Sequence, residues 1–321
     1  MSEEKEIVFQ TIQKFLKKPP AIIWGSGATV PYGLPTMSEL NYKLQEKIEG
    51  FNPESKNLEA ELGDPKYSSQ SSEIRAIIWQ AIYEAEQRFK QDIISGAVDS
   101  LNVVMRLIKG FWDVHPRVVN VITTNYDHVL ELALGYHGIP FTDGFVGRDF
   151  SIFDSNLFDK ETEIVNVIKV HGSLSWFKIG GSVRYLNTPE CSNSAIIIPG
   201  KSKYQEAYNN PYRDLIQKSD QAIKKADCFL AVGFGFNDEH LTPKIKEKLK
   251  SGTPLVLVTK KITESCITEI SVAQKYVLLE EIADQGNTLV KIKDGTNPPQ
   301  DFIIEGDYWK LENFLEVVGN D

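Results

Sequence analysis

The stretch Ala21-Ile22-Ile23-Trp24-Gly25-Ser26-Gly27-Ala28-Thr29 opens with four apolar residues and stops on glycines. An apolar run without polar alternation reads as a strand buried on both faces, as in a parallel sheet. The glycines behind it permit a tight turn into a helix. Upstream, Ile7, Ile12, Phe15 and Leu16 recur on one face of residues 3–18, which predicts a helix ended by Pro19-Pro20. Downstream, Thr36-Met37-Ser38-Glu39 has the Ser/Thr-x-x-Glu form of a capping box and sets a helix start near Met37.

The same strand-then-helix grammar recurs along the chain. Residues 37–112 read as mostly helical, with a polar loop over 51–72 and helices over 73–95 and 97–112. VVNVITTNYD (118–127) is a strand followed by VLELALGY (129–136) as helix, and IVNVIKVHGS (164–173) is a further β-branched run. Residues 173–195 suit a hairpin turning at Gly180-Gly181, and AIIIPG (195–200) reads as a strand. A helix over 205–226 precedes the strand CFLAVGFGF (228–236), the helix DEHLTPKIKEKLK (238–250) and the strand LVLVT (255–259). The tail FIIEGDYWKLENFLEVV (302–318) closes with an amphipathic helix. Alternation of this kind predicts an α/β fold with a Rossmann-like, doubly wound parallel sheet. Residues 1–36, 113–139 and 166–321 supply that domain; residues 37–112 and 140–165, which break the alternation, form a smaller, mainly helical inserted lobe.

Composition narrows the function. The 321 residues carry a net charge of −9, which on average repels nucleic acid and anionic membrane, so neither is an expected partner. Lys244, Lys246, Lys248 and Lys250 read as the solvated face of a helix rather than a basic binding patch. Cys191, Cys228 and Cys266 are far apart and form no Cys-x-x-Cys, so a four-cysteine zinc module cannot be built, and no metal is expected. The odd, unpatterned count suits a reducing compartment. MSEEKEIVFQ lacks the apolar core of a signal peptide, and no apolar stretch reaches the ~18–20 residues a bilayer span needs, which leads to an expectation of a cytoplasmic protein.

In an open α/β sheet, ligands bind beyond the carboxyl ends of the strands, at the switch point of the topology. Four strand ends here carry unusual residues. Gly25-Ser26-Gly27-Ala28 suits a backbone cradle for a pyrophosphate, although a plain tight turn explains the glycines equally well. Thr123-Thr124-Asn125-Tyr126-Asp127 places polar groups directly behind a buried strand, where Asn125 or Asp127 equally suits the cap of the next helix. His171-Gly172-Ser173 puts an imidazole at a strand tip, suited to general-base work. Gly233-Phe234-Gly235-Phe236-Asn237-Asp238-Glu239-His240 repeats the glycine pattern. Around one crevice these supply backbone donors, an amide, a carboxylate and an imidazole, a small-molecule site whose natural ligand is a dinucleotide.

In their order, these motifs resemble the sirtuin family. Gly25-Ser26-Gly27 stands for its Gly-Ala-Gly loop, Gly33-Leu34-Pro35 for Gly-Ile-Pro, Thr124-Asn125-Tyr126-Asp127 for Thr-Gln-Asn-Ile-Asp, and His171-Gly172 for its His-Gly pair, with Gly233-Phe234-Gly235 as the late glycine-bearing strand end. The likeness spans about residues 21–260. Three departures set this chain apart. Thr36-Met37-Ser38 replaces the family's Asp-Phe-Arg, the zinc cysteines are missing, and AIIIPGKSKY stands where Phe-Gly-Glu would hold an acyl-peptide. The run from Gly233 to His240 looks like bacterial sirtuin-like proteins of antiphage defence, which hydrolyse NAD and in some cases work with a HerA-type ATPase.

The resemblance implies NAD as substrate, cleaved at the nicotinamide–ribose bond to nicotinamide and ADP-ribose. It implies that Gly25, Ser26, Gly27 and Ala28 face the pyrophosphate, and that Thr124, Asn125 and Asp127 hold the nicotinamide ribose and carboxamide. His171 would then act as general base, Gly233, Phe234 and Gly235 would border the adenosine, and Thr259 would lie near the adenine ribose. Lys260-Lys261 would admit a 2′-phosphate, leaving NADP open. A homo-oligomer, gated by a HerA-type ATPase, would restrain so toxic an activity. The competing readings are a protein deacylase or ADP-ribosyltransferase on the same fold, and a non-catalytic NAD or ADP-ribose-binding module of an ATPase complex.

Overall fold

The computed structural model describes residues 2–55, 58–198, 209–283 and 286–318. The deciding stretch forms strand β1 (Ala21–Trp24), with every residue buried. It pairs in parallel with β2 (Val118–Thr123) on one side and with β9 (Phe229–Val232) on the other. β6 (Ile164–Lys169) and the two-residue β3 (Phe141–Thr142) extend the β2 side, also in parallel. β10 (Leu255–Val258) and β11 (Lys275–Ile282) extend the β9 side. The sheet order is β13-β12-β11-β10-β9-β1-β2-β6-β3. The chain therefore winds outward in both directions from the β1/β9 junction, which is the switch point of a doubly wound sheet.

Alternate side chains of β1 serve two different cores. Ile22 and Trp24 join α1 (Glu3–Phe15), α2 (Met37–Lys47), α4 (Ser71–Ile94), α5 (Asp99–Trp112) and α6 (Val129–Tyr136) on one face. Ala21 and Ile23 join α7 (Tyr212–Lys225), α8 (Thr242–Lys250) and α9 (Glu264–Ile270) on the other. The period of two in a strand divides the residues this way, and coverage of both faces explains the unbroken apolar run.

Local signals hold where they are strong. Thr36 accepts from the Glu39 N–H while the Glu39 carboxylate accepts from the Thr36 N–H, so the capping box starts α2 at Met37. Gly180 and Gly181, at φ 57° and 81°, turn β7 (Trp176–Ile179) into β8 (Ser182–Tyr185). With β4 (Phe145–Val146) and β5 (Ser151–Phe153) they make a separate four-stranded sheet. Three lysines of α8 meet oxygens on neighbouring elements: Lys246 meets Glu269 at 2.8 Å, Lys244 meets Asp220 at 3.7 Å and Lys248 donates to the Lys224 carbonyl at 3.1 Å.

Two expectations are corrected. The polar stretch 51–72 is not all loop, because α3 (Leu58–Leu62) and a 3₁₀ turn (Pro65–Gln70) lie within it, held by buried Leu58, Leu62 and Tyr67. Among the described residues, Ala195–Ile198 makes no regular strand; Ser194, just before it, bridges to Phe177, and its own backbone braces other turns. The remainder of that expected strand, and residues 205–208 of the expected helix 205–226, lie outside the described residues. The sheet also extends beyond its parallel strands. β11 continues into an antiparallel meander with β12 (Asn287–Asp294) and β13 (Gln300–Glu305), ahead of the closing helix α10 (Leu311–Val318).

The turns leaving β1 and β9 interlock. A Cβ on Gly25 would sit 2.3 Å from the Gly233 oxygen, and one on Gly233 would sit 2.2 Å from the Ala28 nitrogen, at a φ of 58°. No side chain fits between backbones this close, and overpacking and left-handed strain each cost on the order of 1–3 kcal/mol. Gly233→Ala is expected to lower the unfolding free energy by about that combined amount, read as a lower urea midpoint at unchanged slope. A midpoint equal to the wild type would show that the two turns separate freely.

Candidate active site

The carboxyl ends of β1, β2, β6, β9 and β10 converge on a cavity of ≈ 520 Å³. Ser26, Gly27, Thr124, Asn125, Asp127, His171, Gly233, Phe234, Gly235 and Thr259 all line it. Residues named from four separate strand ends thus meet at one place. Gly25 and Ala28 do not line the wall. Leu34, Met37, Leu40, Leu58, Ile78 and Ile82 close the cavity on its apolar side.

The turn after β1 is rigid because its own backbone satisfies it. The N–H groups of Gly25 and Gly27 donate to the oxygens of Val232 and Gly233, and those of Ala28 and Thr29 close a 3₁₀ turn. The glycines therefore serve the contact with the β9 turn first. Ser26 and Gly27 are the members that face the cavity.

Asn125 is oriented by that turn. Its N–H donates to Thr123 Oγ1 at 3.0 Å, and Thr123 Oγ1 in turn donates to the Trp24 oxygen at 2.7 Å. The Asn125 Nδ2 donates to the Gly25 oxygen at 3.0 Å, with Thr29 Oγ1 at 3.5 Å. A carbonyl only accepts, so the NH₂ must face Gly25 and the amide oxygen is the group left for the cavity. Capping of α6 falls instead to Asp127, whose Oδ1 accepts from the Val129 N–H at 3.1 Å.

Asp127 sits in a buried charge cluster. Burial raises its carboxyl from the ordinary 3.8 to about 6; Lys169 opposes the rise, while Glu86 and Glu131 add to it. The Lys169 ammonium is itself buried, which disfavours its charge. Glu131, at 2.8 Å, and Asp127 outweigh that and hold it above the ordinary lysine value. Lys169 Nζ also donates to the Asp127 carbonyl.

His171 is buried at the tip of β6, 3.1 Å through Nε2 from Asp238 Oδ2. The two atoms are close but not aligned as a hydrogen bond. Asp238 Oδ1 accepts from the His240 and Leu241 N–H groups, so the same carboxylate caps the entry to α8. Gly172, at φ 88°, lets the chain turn against the Ala195 oxygen, and the Ile197 N–H donates to the His171 oxygen at 2.8 Å. The His240 ring meets His171 edge to face at 6.0 Å. At the β10 end, Thr259, Thr263, Ser265 and Asn237 line the cavity, and Ser265 donates to Asn237 Oδ1 at 3.1 Å. Lys260 points away toward Glu281 at 3.9 Å.

The sequence marks Asp238 only as part of the run from Gly233 to His240 and gives no sign of Thr29 or Ser265. The Asp238 signal was a carboxylate three residues beyond a strand-end glycine, but its second contact is long-range and has no local mark. Burial pushes the thiols of Cys228 and Cys266 up to about 12, so both are inert packing groups. Among the described residues, no group of three or more His, Cys, Asp or Glu is placed to hold a metal ion. No helix among them is long and apolar enough to cross a membrane.

A family model for the SIR2-like domain matches residues 119–261, the part that carries Asn125, Asp127, His171 and the β9 turn. A structure described as the basis for the mechanism and regulation of Sir2 enzymes shares 14% identity, covers 99% of this chain and 98% of its own, and superposes with a TM-score of 0.46. A Sir2 homolog–NAD complex shares 17% identity over 85% of this chain and 87% of that one, with a TM-score of 0.44. Sir2Tm bound to a propionylated peptide shares 14% identity over 82% and 89%, with a TM-score of 0.43. No curated protein matches the sequence.

The Asp127 environment carries a sign. Its folded-state pKa lies above the unfolded value, so the ionised form costs stability, and that cost grows from about pH 4 to about pH 6 and is complete above. Asp127→Asn is therefore expected to raise the melting temperature at pH 7.5 and to change it little at pH 4. An equal shift at both pH values would contradict the assignment.

Proposed function

We propose that this chain is an NAD glycohydrolase, cleaving the nicotinamide–ribose bond to release nicotinamide and ADP-ribose. The observation that carries the reading is the meeting of an oriented Asn125 amide and the His171 imidazole on one cavity at the switch point of the sheet. At ≈ 520 Å³ the cavity falls within the roughly 300–1,000 Å³ of small-molecule sites. The SIR2-like match over residues 119–261 supports NAD as the ligand.

Each residue then has a physical task. Cleavage of the glycosidic bond builds positive charge on the ribose, and the Asn125 amide oxygen, fixed by Gly25, stabilises that charge. Asp127 adds a carboxylate on the same wall. His171 accepts a proton from water or a ribose hydroxyl. The Asp238 carboxylate, 3.1 Å from Nε2, stabilises the imidazole as it takes up that proton. Ser26 and Gly27 meet the pyrophosphate, while Gly233, Phe234, Gly235 and Thr259 border the adenosine. Gly25 and Ala28 act one layer back, through the backbone.

The chain's resemblance to antiphage-defence proteins supports the finer reading. In it, NAD depletion in a bacterial cytoplasm is the output, and a homo-oligomer, gated by a HerA-type ATPase, restrains it. Elution of fully active protein as a monomer on gel filtration would argue against that restraint.

Purified protein incubated with NAD is expected to release nicotinamide and free ADP-ribose by chromatography, regardless of added acetylated peptide. His171→Ala and Asn125→Ala are each expected to lose at least ~10²-fold in turnover, in the range of general-base and electrostatic contributions, with far-UV circular dichroism unchanged. Full activity in either variant would remove that residue from the mechanism. Peptide-dependent O-acetyl-ADP-ribose would make the chain a deacylase instead.

A further inference from the structure

Behind the cavity wall lies a buried polar relay that the cleavage chemistry does not use. Glu86, from the middle of α4, receives the His128 N–H on Oε2 at 2.7 Å, and its carboxylate oxygens lie 3.0 Å from His128 Nδ1. His128 Nε2 lies 2.9 Å from Ser173 Oγ. Serine, histidine and glutamate in this order have the outline of a hydrolytic triad. Ser173, however, is 0% exposed, so no substrate carbonyl reaches its oxygen.

What the relay does touch is the backbone of both reactive turns. His128 follows Asp127 directly, and Ser173 lies two residues beyond His171. Ser173 Oγ donates to the Tyr126 oxygen at 3.2 Å, and the Leu174 N–H donates to the same oxygen at 2.9 Å. Trp79, also on α4, donates from Nε1 to the Leu174 oxygen at 2.9 Å. One helix thus grips the Asn125–His128 turn through Glu86 and the His171–Leu174 turn through Trp79, and the two turns grip each other through His128 and Ser173.

We propose that Glu86 is a positioning residue, which acts through His128 and Ser173 to fix the Asn125–Asp127 turn relative to the His171 turn. Ile78 and Ile82 of the same helix line the cavity, so α4 sets both its wall and the spacing of its polar groups. Burial works to raise the Glu86 carboxyl, but His128 and Lys90, the latter at 2.5 Å, outweigh it and keep Glu86 ionised. An ionised Glu86 only accepts, so His128 Nδ1 carries a proton toward it. The ring edge meets Tyr185 at 6.5 Å, and Asp143, Asp127, Glu131 and Lys169 complete the charged surroundings.

The proposal rests on the glycohydrolase reading for its kinetic test and carries a second test that does not. Ser173→Ala, Glu86→Gln and the double variant are compared with wild type for kcat and KM on NAD. Each single variant is expected to lower kcat by ~10- to 100-fold, the scale of a small misplacement of reacting groups, with KM within about twofold. The double variant is expected to be no worse than the worse single one, because both cut the same relay. Unchanged kcat, or losses that multiply, would overturn the proposal.

Amide hydrogen exchange then reads the coupling without turnover. Glu86→Gln is expected to speed exchange by about tenfold or more in both the 125–128 and the 171–174 segments. Acceleration confined to 125–128, or none, would overturn the proposal even where no NAD is cleaved, an outcome that by itself defeats only the glycohydrolase reading. Ser173→Ala, which removes one oxygen and no charge, keeps both tests open if Glu86→Gln fails to fold.

Discussion

The absence of a β-carbon at Gly25, Gly27 and Gly233 is the constraint on which the rest of the site depends. Two backbone turns, one leaving β1 and one leaving β9, pass close enough that side chains would collide with main-chain atoms. That contact closes the floor of the crevice at the point where the chain winds off in opposite directions. It also directs the Gly25 oxygen at Asn125, so that packing between two turns settles which way an amide faces. Glycines that look like a phosphate cradle are in the first place a joint, and whatever binding they offer follows from the joint.

The second constraint is electrostatic. Lys169, Asp127, Glu131, Glu86 and His128 are charged or polar groups taken out of water around the ends of β2 and β6. Buried ionic groups seldom add stability over apolar packing, because desolvation offsets their attraction. Here they hold short turns that have little regular structure to fix them. Lys169 ties the Asp127 carbonyl to β6, Glu86 ties His128 to α4, and Tyr126 carries the ladder across to Ile197 through its hydroxyl at 2.6 Å. The cluster gives the wall of the cavity a defined shape and places a carboxyl of raised pKa on it.

Much of this was legible in the sequence, for reasons that are local. β1, β2, β6, β9 and β10 announce themselves as short apolar runs because both faces are buried, and the capping box at Thr36 and the Gly180-Gly181 turn are set by residues within four positions of one another. The strand ends pointed to the cavity because polar residues behind a buried strand have few packing explanations. The parts that escaped are of two kinds. β12 alternates, with Thr288, Val290 and Ile292 turned inward, and that period of two was readable though not weighed. By contrast, Glu86 sits 42 residues from His128, and Asp238 meets His171 across two strand ends. No window of sequence holds both members of such a pair. Ala195–Ile198 misled for a related reason, since its apolar residues are buried as a brace for the His171 turn rather than as a strand of the sheet.

In the proposed function, the nicotinamide–ribose bond lies between Asn125 and His171, over the β1/β9 joint. A crystal structure of His171→Ala soaked with NAD tests it most directly, since that variant is expected to bind without turning over. Uncleaved dinucleotide is expected there, with its pyrophosphate at Ser26 and Gly27 and its nicotinamide ribose against the Asn125 amide oxygen. Nucleotide bound elsewhere on the fold, or a ribose turned away from Asn125, would contradict it.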